Sequence, residues 1–424
     1  MFDLRPLRDA VSAQLGGGTP SRQVGAYWNG PIPWASVKDF TEGGSEILAT
    51  QEAITEKGLR ASASNLIPCG TPLVCTRMAV GRSAISPMPV AINQDVKALV
   101  PAWGTSAAYL LRLLQSVQSK AVAAAVGSTV KGIRIHDYLS IPVPLAPAVE
   151  QSRIAAILDT VDTTIRQTEA IIEKLKQVKQ GLLHDLLTRG IDANGELRPR
   201  QSEAPHLYKE SALGWIPNTW TVLPLKSYTS SDITYGIVQA GPHIDGGVPY
   251  IRTGDMSGDQ LVRGSLLCTS RRIADGYARS EVHAGDIVMA IRATVGKVLP
   301  VPDELDGANL TQGTARLAPN KRTDPVFLLW AIRHQRAQDS IQSEIKGTTF
   351  AEITLAALRE VPLAVPADLE EQRAVGARVG ACESRAWHER KVLEKLRALK
   401  TGLMDDLLTG RVRVTPLLDL ATST

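Results

Sequence analysis

One feature constrains this 424-residue chain before any other: a stretch of about 40 residues occurs twice without a gap. Glu150 to Gly190 (EQSRIAAILDTVDTTIRQTEAIIEKLKQVKQGLLHDLLTRG) returns 221 positions later, Glu371 answering Glu150 and Asp406-Leu407-Leu408-Thr409 answering Asp185-Leu186-Leu187-Thr188. Both copies step through apolar positions at alternating intervals of three and four, the pattern of a coiled-coil seam. In the first copy the seam holds Ile154, Leu158, Val161, Ile165, Ile172, Leu175, Leu182 and Leu186; in the second, Val375, Val379, Leu393, Leu396, Leu403 and Leu407. The polar breaks also correspond, Thr168 with Glu389 and Lys179 with Lys400. A helix of about 40 residues is roughly 60 Å long. Each copy read alone is an amphipathic surface helix or one that pairs with another chain. In-phase seams and a domain between them favour mutual, antiparallel pairing.

A chain this long exceeds one ordinary core. Its 44% apolar and 21% charged residues are those of a soluble protein, and no window is apolar enough to span a membrane. Cys69, Cys75, Cys268 and Cys382 are scattered without a CxxC pair, which fits a reduced, cytoplasmic chain lacking a disulfide framework or zinc site. The net charge of +4 permits nucleic acid as a partner without demanding it. Residues 1–145 carry 13 Lys+Arg against 9 Asp+Glu, residues 191–366 carry 18 against 19. Contacts to DNA would therefore need basic residues clustered on one face.

The order of segments predicts an α+β protein: a strand-rich domain at 1–145, the long helix at 146–190, a polar linker at 191–215, a second domain at 216–366, the second helix at 367–411 and a loose tail at 412–424. Within the first domain Ala107–Val126 reads as one helix, and Ile133–Val143 as extended chain closed by prolines. The second domain repeats the first with drifting offsets: Ile32–Asp39 resembles Val248–Asp255, Pro68–Thr71 through Arg77–Gly81 resembles His283–Asp286 through Arg292–Gly296, and Gly127-Ser128-Thr129 answers Gly347-Thr348-Thr349. The whole is a pseudo-two-fold tandem repeat, two globular α/β domains of similar fold separated by long helices forming an antiparallel coiled coil.

No phosphate-binding loop, dinucleotide fingerprint or metal-spaced His/Cys cluster is present. Pro302-Asp303-Glu304 lacks the carboxylate and lysine that a nuclease motif adds. The chain reads as a recognising scaffold, with no catalytic residues and no metal. On the shared frame, Lys38, Arg77, Arg82, Asn93 and Gln94 in the first domain and Arg252, Arg271, Arg272, Arg292, Lys297, Thr311 and Gln312 in the second are candidates for DNA contact. Arg and Lys suit guanine, Asn and Gln suit adenine, and the remainder would hold phosphates. Ser128, Thr129, Thr348 and Thr349 follow helices and serve equally as phosphate donors or as plain helix caps.

These elements resemble the specificity subunit of Type I restriction–modification enzymes. The resemblance is carried by Gly17-Gly18-Thr19-Pro20-Ser21, Tyr27-Trp28, Gly30, Ile32-Pro33-Trp34, Thr55–Leu59, Gly81-Arg82, Gly127-Ser128-Thr129, Ile141–Pro144 and Glu150-Gln151. In the second half it is carried by Leu213–Pro217, Trp220, Val248–Arg252, Gly347-Thr348, Val361–Leu363 and Glu371–Arg373. It implies two target recognition domains, each reading half of a bipartite double-stranded DNA sequence, and adds Gly18, Thr19 and Ser21 to the DNA-binding candidates. It implies that the long helices set the unread spacer and dock two methyltransferase subunits, with nuclease–translocase subunits joining. S-adenosylmethionine, ATP and Mg would sit on those partners and no cofactor on this chain. Phe2-Asp3-Leu4 stands where the second half has Trp220-Thr221-Val222. The competing expectation is a coiled-coil adaptor whose globular domains bind proteins.

Overall fold

The computed structural model describes residues 1–347 and 351–416. The chain divides into two compact units, residues 1–170 with 391–424 and residues 171–390. Each unit therefore holds one globular domain and half of each long helix.

In the first unit the strands are β1 (Leu4–Pro6), β2 (Val11–Leu15), β3 (Trp28–Ala35), β4 (Glu52–Ile54), β5 (Leu66–Ile67), β6 (Pro72–Cys75), β7 (Ser83–Ile85), β8 (Val90–Ile92), β9 (Val96–Pro101) and β10 (Pro142–Pro144). The helices are α1 (Glu56–Arg60), α2 (Ala107–Ser116), α3 (Gln118–Ala124), α4 (Ile135–Leu139) and the start of the 41-residue α5 (Ala148–Thr188). Strands order as β4-β3-β8-β5, β2-β9-β6-β7 and β1-β10.

In the second unit the strands are β11 (Tyr208–Ser211), β12 (Gly214–Pro217), β13 (Trp220–Pro224), β14 (Thr234–Tyr235), β15 (Val248–Ile251), β16 (Leu267–Thr269), β17 (Ile287–Ala290), β18 (Val298–Pro300), β19 (Asn309–Leu310), β20 (Thr314–Leu317) and β21 (Pro362–Pro366). The helices are α6 (Arg271–Asp275), α7 (Pro325–Arg333), α8 (Gln335–Ser343), α9 (Leu355–Glu360) and α10 (Leu369–Thr409). The order β14-β20-β17-β18 reproduces β2-β9-β6-β7 strand for strand. The parallel pair Trp34↔Ala91, Ala35↔Ile92 returns as Tyr250↔Asn309, Ile251↔Leu310. Leu4–Pro6 pairs with Pro142–Pro144 as Val222–Pro224 pairs with Pro362–Ala364, so Phe2-Asp3-Leu4 does occupy the place of Trp220-Thr221-Val222.

The seam is as expected. Ile154, Leu158, Leu186, Val375, Val379, Leu393 and Leu407 are buried, and Val161, Ile165, Ile172, Leu175, Leu182, Leu396 and Leu403 are half-buried. The helices run antiparallel in both units. In the first, Asp162 meets Lys400 at 2.7 Å and Glu169 meets Arg397 at 2.8 Å. In the second, Lys179 meets Glu383 at 2.6 Å, and the Ile191 amide donates to Glu371. Asp162 and Glu383 are themselves 221 apart, so the lysine breaks in the seam, Lys179 and Lys400, are one ion pair made twice. A buried charge in an apolar seam is tolerated only opposite its partner, which pins the register.

The repeated Glu-Gln that opens each long helix is structural. Gln151 accepts from the Ser106 amide and donates to the Ala146 carbonyl; Gln372 accepts from the Asp324 amide and donates to the Pro366 carbonyl. Ser106 and Asp324 in turn cap α2 and α7. Glu150 is clasped by Arg413, and Glu371 by Arg198 at 2.5 Å. The guanidinium of Arg413, with the Val414 amide, holds the Glu150 carboxyl below the usual carboxylate range.

Several expectations need correction. Residues 191–215 are no free linker: Ile191 and Tyr208 are buried, and β11 pairs with β12 in a hairpin. The tail is anchored as far as Val414, 1% exposed in the core of the first unit. Ala107–Val126 breaks at Val117 into α2 and α3. Ile133–Val143 contains α4 rather than running extended, because Tyr138 turns inward and is fully buried. No helix among the described residues is long and apolar enough to cross a membrane.

Candidate nucleic-acid interface

The first unit gathers four loops. Between β6 and β7 a tight hairpin carries Arg77, followed by Met78 at φ 62°. Next to it, Val126 and Gly132 exchange backbone hydrogen bonds at 2.9 Å and close a loop of residues 127–131. The Met78 amide donates to the Lys131 carbonyl, and the Ile133 amide to the Thr76 carbonyl, tying this loop to the hairpin tip. Arg77 also lies 3.5 Å from Asp95 and remains 54% exposed. Beyond Asp95, Gln94 accepts a hydrogen bond from the Thr19 hydroxyl. The 16–21 loop lies hard against β8, where a Cβ on Gly17 would stand 2.1 Å from the Ile92 carbonyl oxygen.

The second unit rebuilds the same strip. Arg292 is followed by Ala293 at φ 59°. Lys346 and Glu352 exchange backbone bonds, and the Ala293 amide donates to the Ala351 carbonyl. Arg292 pairs with Glu352 at 3.0 Å. Gly236 presses on the Leu310 carbonyl as Gly17 does on Ile92, and the Gln312 amide donates to Ile237. A non-glycine residue with positive φ costs on the order of 1 kcal/mol. The same local cost recurs at the same tip in both units.

The strip unites Thr19, Gln94, Arg77, Ser128 and Thr129 in the first unit, and Arg292 with Gln312 in the second. Ser128 and Thr129 are exposed and cap no helix, since α3 ends at Ala124; the cap alternative therefore falls away for that loop. Thr348 and Thr349 lie outside the described residues. Exposed Arg271 and Arg272 open α6, whose Ile273 lies against the loop at Gly241. Ser21 is exposed at the end of its loop, and its carbonyl accepts from Trp28.

Other candidates are committed elsewhere. Asn93 is 5% exposed, its side chain accepting from the Asp95 amide. Gly18 is buried, a Cβ there colliding with Ala63. Thr311 donates to the Ile251 carbonyl. Arg82 is spent on the Phe40 carbonyl and Glu42. Arg252 is gripped by Asp255, whose carboxylate raises its pKa. Lys38 is exposed on a separate turn, and Lys297 reaches toward the Ser257 carbonyl at the base of its hairpin. The sequence reading missed exposed Lys131 and Arg134 beside the first tip, and Tyr235, Val238 and Gln239 in the loop that answers residues 16–21. A lone glycine at Gly236, where the first domain has three in a row, hid that correspondence. No group of three or more His, Cys, Asp or Glu among the described residues is placed to hold a metal ion.

Two diverged copies of one α+β module, each offering an arginine tip beside a hydroxyl-rich or glycine-bearing loop, define a duplicated recognition protein. Residues 4–177 and 241–382 match the Type I restriction modification DNA specificity domain, which is more than half of the chain. The chain belongs to that family. It is 27% identical over 315 residues to the putative type I restriction enzyme MjaX specificity subunit of Methanocaldococcus jannaschii, covering 72% of this chain and 68% of that protein. It is 31% identical over 200 residues to the EcoR124I/EcoR124II specificity subunit of Escherichia coli, covering 46% and 44%. The crystal structure of the S subunit of a Type I restriction–modification system from M. genitalium shares the fold at TM-score 0.62 and 16% identity, covering 96% of both chains.

Proposed function

We propose that this chain is the DNA-reading subunit of a Type I restriction–modification complex, each unit contacting one half of a bipartite target through its strip. The recurrence of an arginine at a hairpin tip beside a closed loop, Arg77 exposed and Arg292 half-buried, carries this reading. Arg77, Arg292 and the loop hydroxyls hold phosphates and set register, because groups shared by both units serve a shared role. The diverged exposed side chains around them, Lys131 and Arg134 in the first unit against Val238 and Gln239 in the second, read bases, while Gln94 and Gln312, the same residue at the same place, belong with the shared groups. The long helices set the unread spacer and dock two methyltransferase subunits, and nuclease–translocase subunits complete the assembly. S-adenosylmethionine, ATP and Mg belong to those partners, and this chain does no chemistry of its own.

Footprinting the chain with its methyltransferase on the cognate duplex tests this. Two protected segments with an unprotected gap are expected, and one contiguous footprint would overturn the two-reader assignment. Inserting four residues into one long helix is expected to lengthen the tolerated gap and leave both half-sites unchanged.

A further inference from the structure

Three apolar side chains stand exposed at the tip of the first unit's strip: Met78 at 66%, Val126 at 74% and Val130 at 44%. Backbone bonds hold them in one place. The Met78 amide donates to the Lys131 carbonyl at 2.9 Å, and Val126 pairs with Gly132 across the loop that carries Val130. Exposed apolar residues scattered singly are ordinary on a surface, but a group of them on one projecting turn marks a contact with another molecule. The frame does not require them. In the second unit Ala293 stands in the place of Met78 and Lys346 in that of Val126, on the same turn and the same pair of backbone bonds. The residue answering Val130 lies outside the described residues. Met78 also keeps its long side chain on a left-handed backbone, φ 62°, where glycine would fit without strain.

The charges around this tip select its occupant. Arg77, Lys131 and Arg134 are exposed beside it, while Asp95 is taken up by Arg77 at 3.5 Å and Asp137 lies 3.4 Å from His136. An apolar tip flanked by cations suits a duplex, whose phosphates take the cations while the tip enters the groove between the backbones. In the major groove the base edges offer donors, acceptors and one apolar group, the C5-methyl of thymine. Contact with that methyl leaves the bases stacked, whereas contact with a base face would require the step to be opened. Methionine fits the task, because its unbranched, polarizable side chain conforms to a small irregular apolar surface.

We propose that Met78, backed by Val126 and Val130, reads the C5-methyl group of a thymine in the half-site met by the first unit. This rests on the reading of DNA by the strip and names the chemistry of one of its contacts. The second unit, with Ala293 and Lys346 at the equivalent place, has no side chain of that reach and polarity there among the described residues.

The full chain with its methyltransferase is titrated against the cognate duplex, and against duplexes in which each thymine in turn is replaced by deoxyuridine, which removes only the methyl group. At one thymine of one half-site the replacement is expected to weaken binding about fourfold, the effect of one buried methyl group. Met78→Ala is expected to weaken the thymine duplex by about that factor and to bind the thymine and deoxyuridine duplexes equally. Met78→Leu is expected to keep the discrimination. Circular dichroism confirms that both variants are folded. No penalty at any thymine, or a penalty that persists in Met78→Ala, would overturn the proposal. Loss of methyltransferase association in Met78→Ala, with thymine and deoxyuridine bound equally by the parent, would assign the tip to a protein contact and overturn it as well. Absence of any sequence-specific binding by the parent complex would instead remove the DNA-reading role itself, so the two failures are distinguishable.

Discussion

Arg112 and Trp330 occupy the same place in two copies of one module, and they solve the same packing problem by opposite means. In the first unit a buried guanidinium ties the domain to its long helix through two aspartates. In the second an indole, 4% exposed, has Arg333 and Lys179 over its ring and leaves a cleft open beside it. What the two units share is the backbone: strand order, hairpin turns, the Glu-Gln anchors and a positive-φ residue at each tip. What they have let go is the exposed side chains and the filling between domain and helix. Duplication preserved what closes the fold and released what meets other molecules.

That contrast can be broken most sharply at Arg112. Arg112→Ala leaves Asp159 unpaired and Asp162 to Lys400 alone, around the space of a buried side chain, and is expected to cost about 3–5 kcal/mol, read as a lower midpoint in urea. A loss below 1 kcal/mol would mean the aspartates are already solvated and the clasp does not hold the first unit closed.

His334 supplies the next largest effect, in the second unit alone. Burial, with Arg336 and His184 nearby, pushes its pKa down to about 4. The folded state therefore binds fewer protons than the unfolded state between about pH 4 and 6.5. Stability is full above 6.5 and falls as pH drops to about 4, by about 3 kcal/mol in all. Thermal unfolding of His334→Gln, compared with the parent across that window, is expected to remove this part of the slope. Identical slopes would place the titration elsewhere.

Arg77→Ala and Arg292→Ala should then behave alike. Each is expected to weaken duplex binding similarly for all sequences and to reduce the salt slope by about 1. A variant that instead relaxes specificity at one base would show that its arginine reads sequence. The smallest effect is at the tips. Met78→Gly and Ala293→Gly are expected to stabilise the folded chain by about 0.5–1 kcal/mol in urea unfolding. Destabilisation of either would mean that its side chain is held by contacts worth more than the backbone strain.

The seam was legible because its periodicity is long and local, and even its ion pairs were foreshadowed by Lys179 and Lys400 breaking the pattern together. The recognition frame was legible because it occurs twice. Burial of short polar loop residues was not. Asn93 and Gln94 are neighbours of similar chemistry, yet one folds back on the Asp95 amide and the other is exposed. Residues 191–215 read as a linker because turn residues outnumber the few apolar anchors, Ile191 and Tyr208, that bury the segment. The cleft left no signal in the second half alone, since it opens where the first unit has a pairing between residues 47 apart, Arg112 with Asp159.

The arginine clasps on the long helices also set an order of events during synthesis. In the second unit, Glu371 meets Arg198, a residue made 173 positions earlier. In the first, Glu150 must wait for Arg413, 263 positions later. At about 5–20 residues per second, that interval lasts roughly 13–50 s. The first domain emerges from the ribosome before the second, yet its unit is the last to be sealed, and its half of the apolar seam stays uncovered until residues 391–414 arrive.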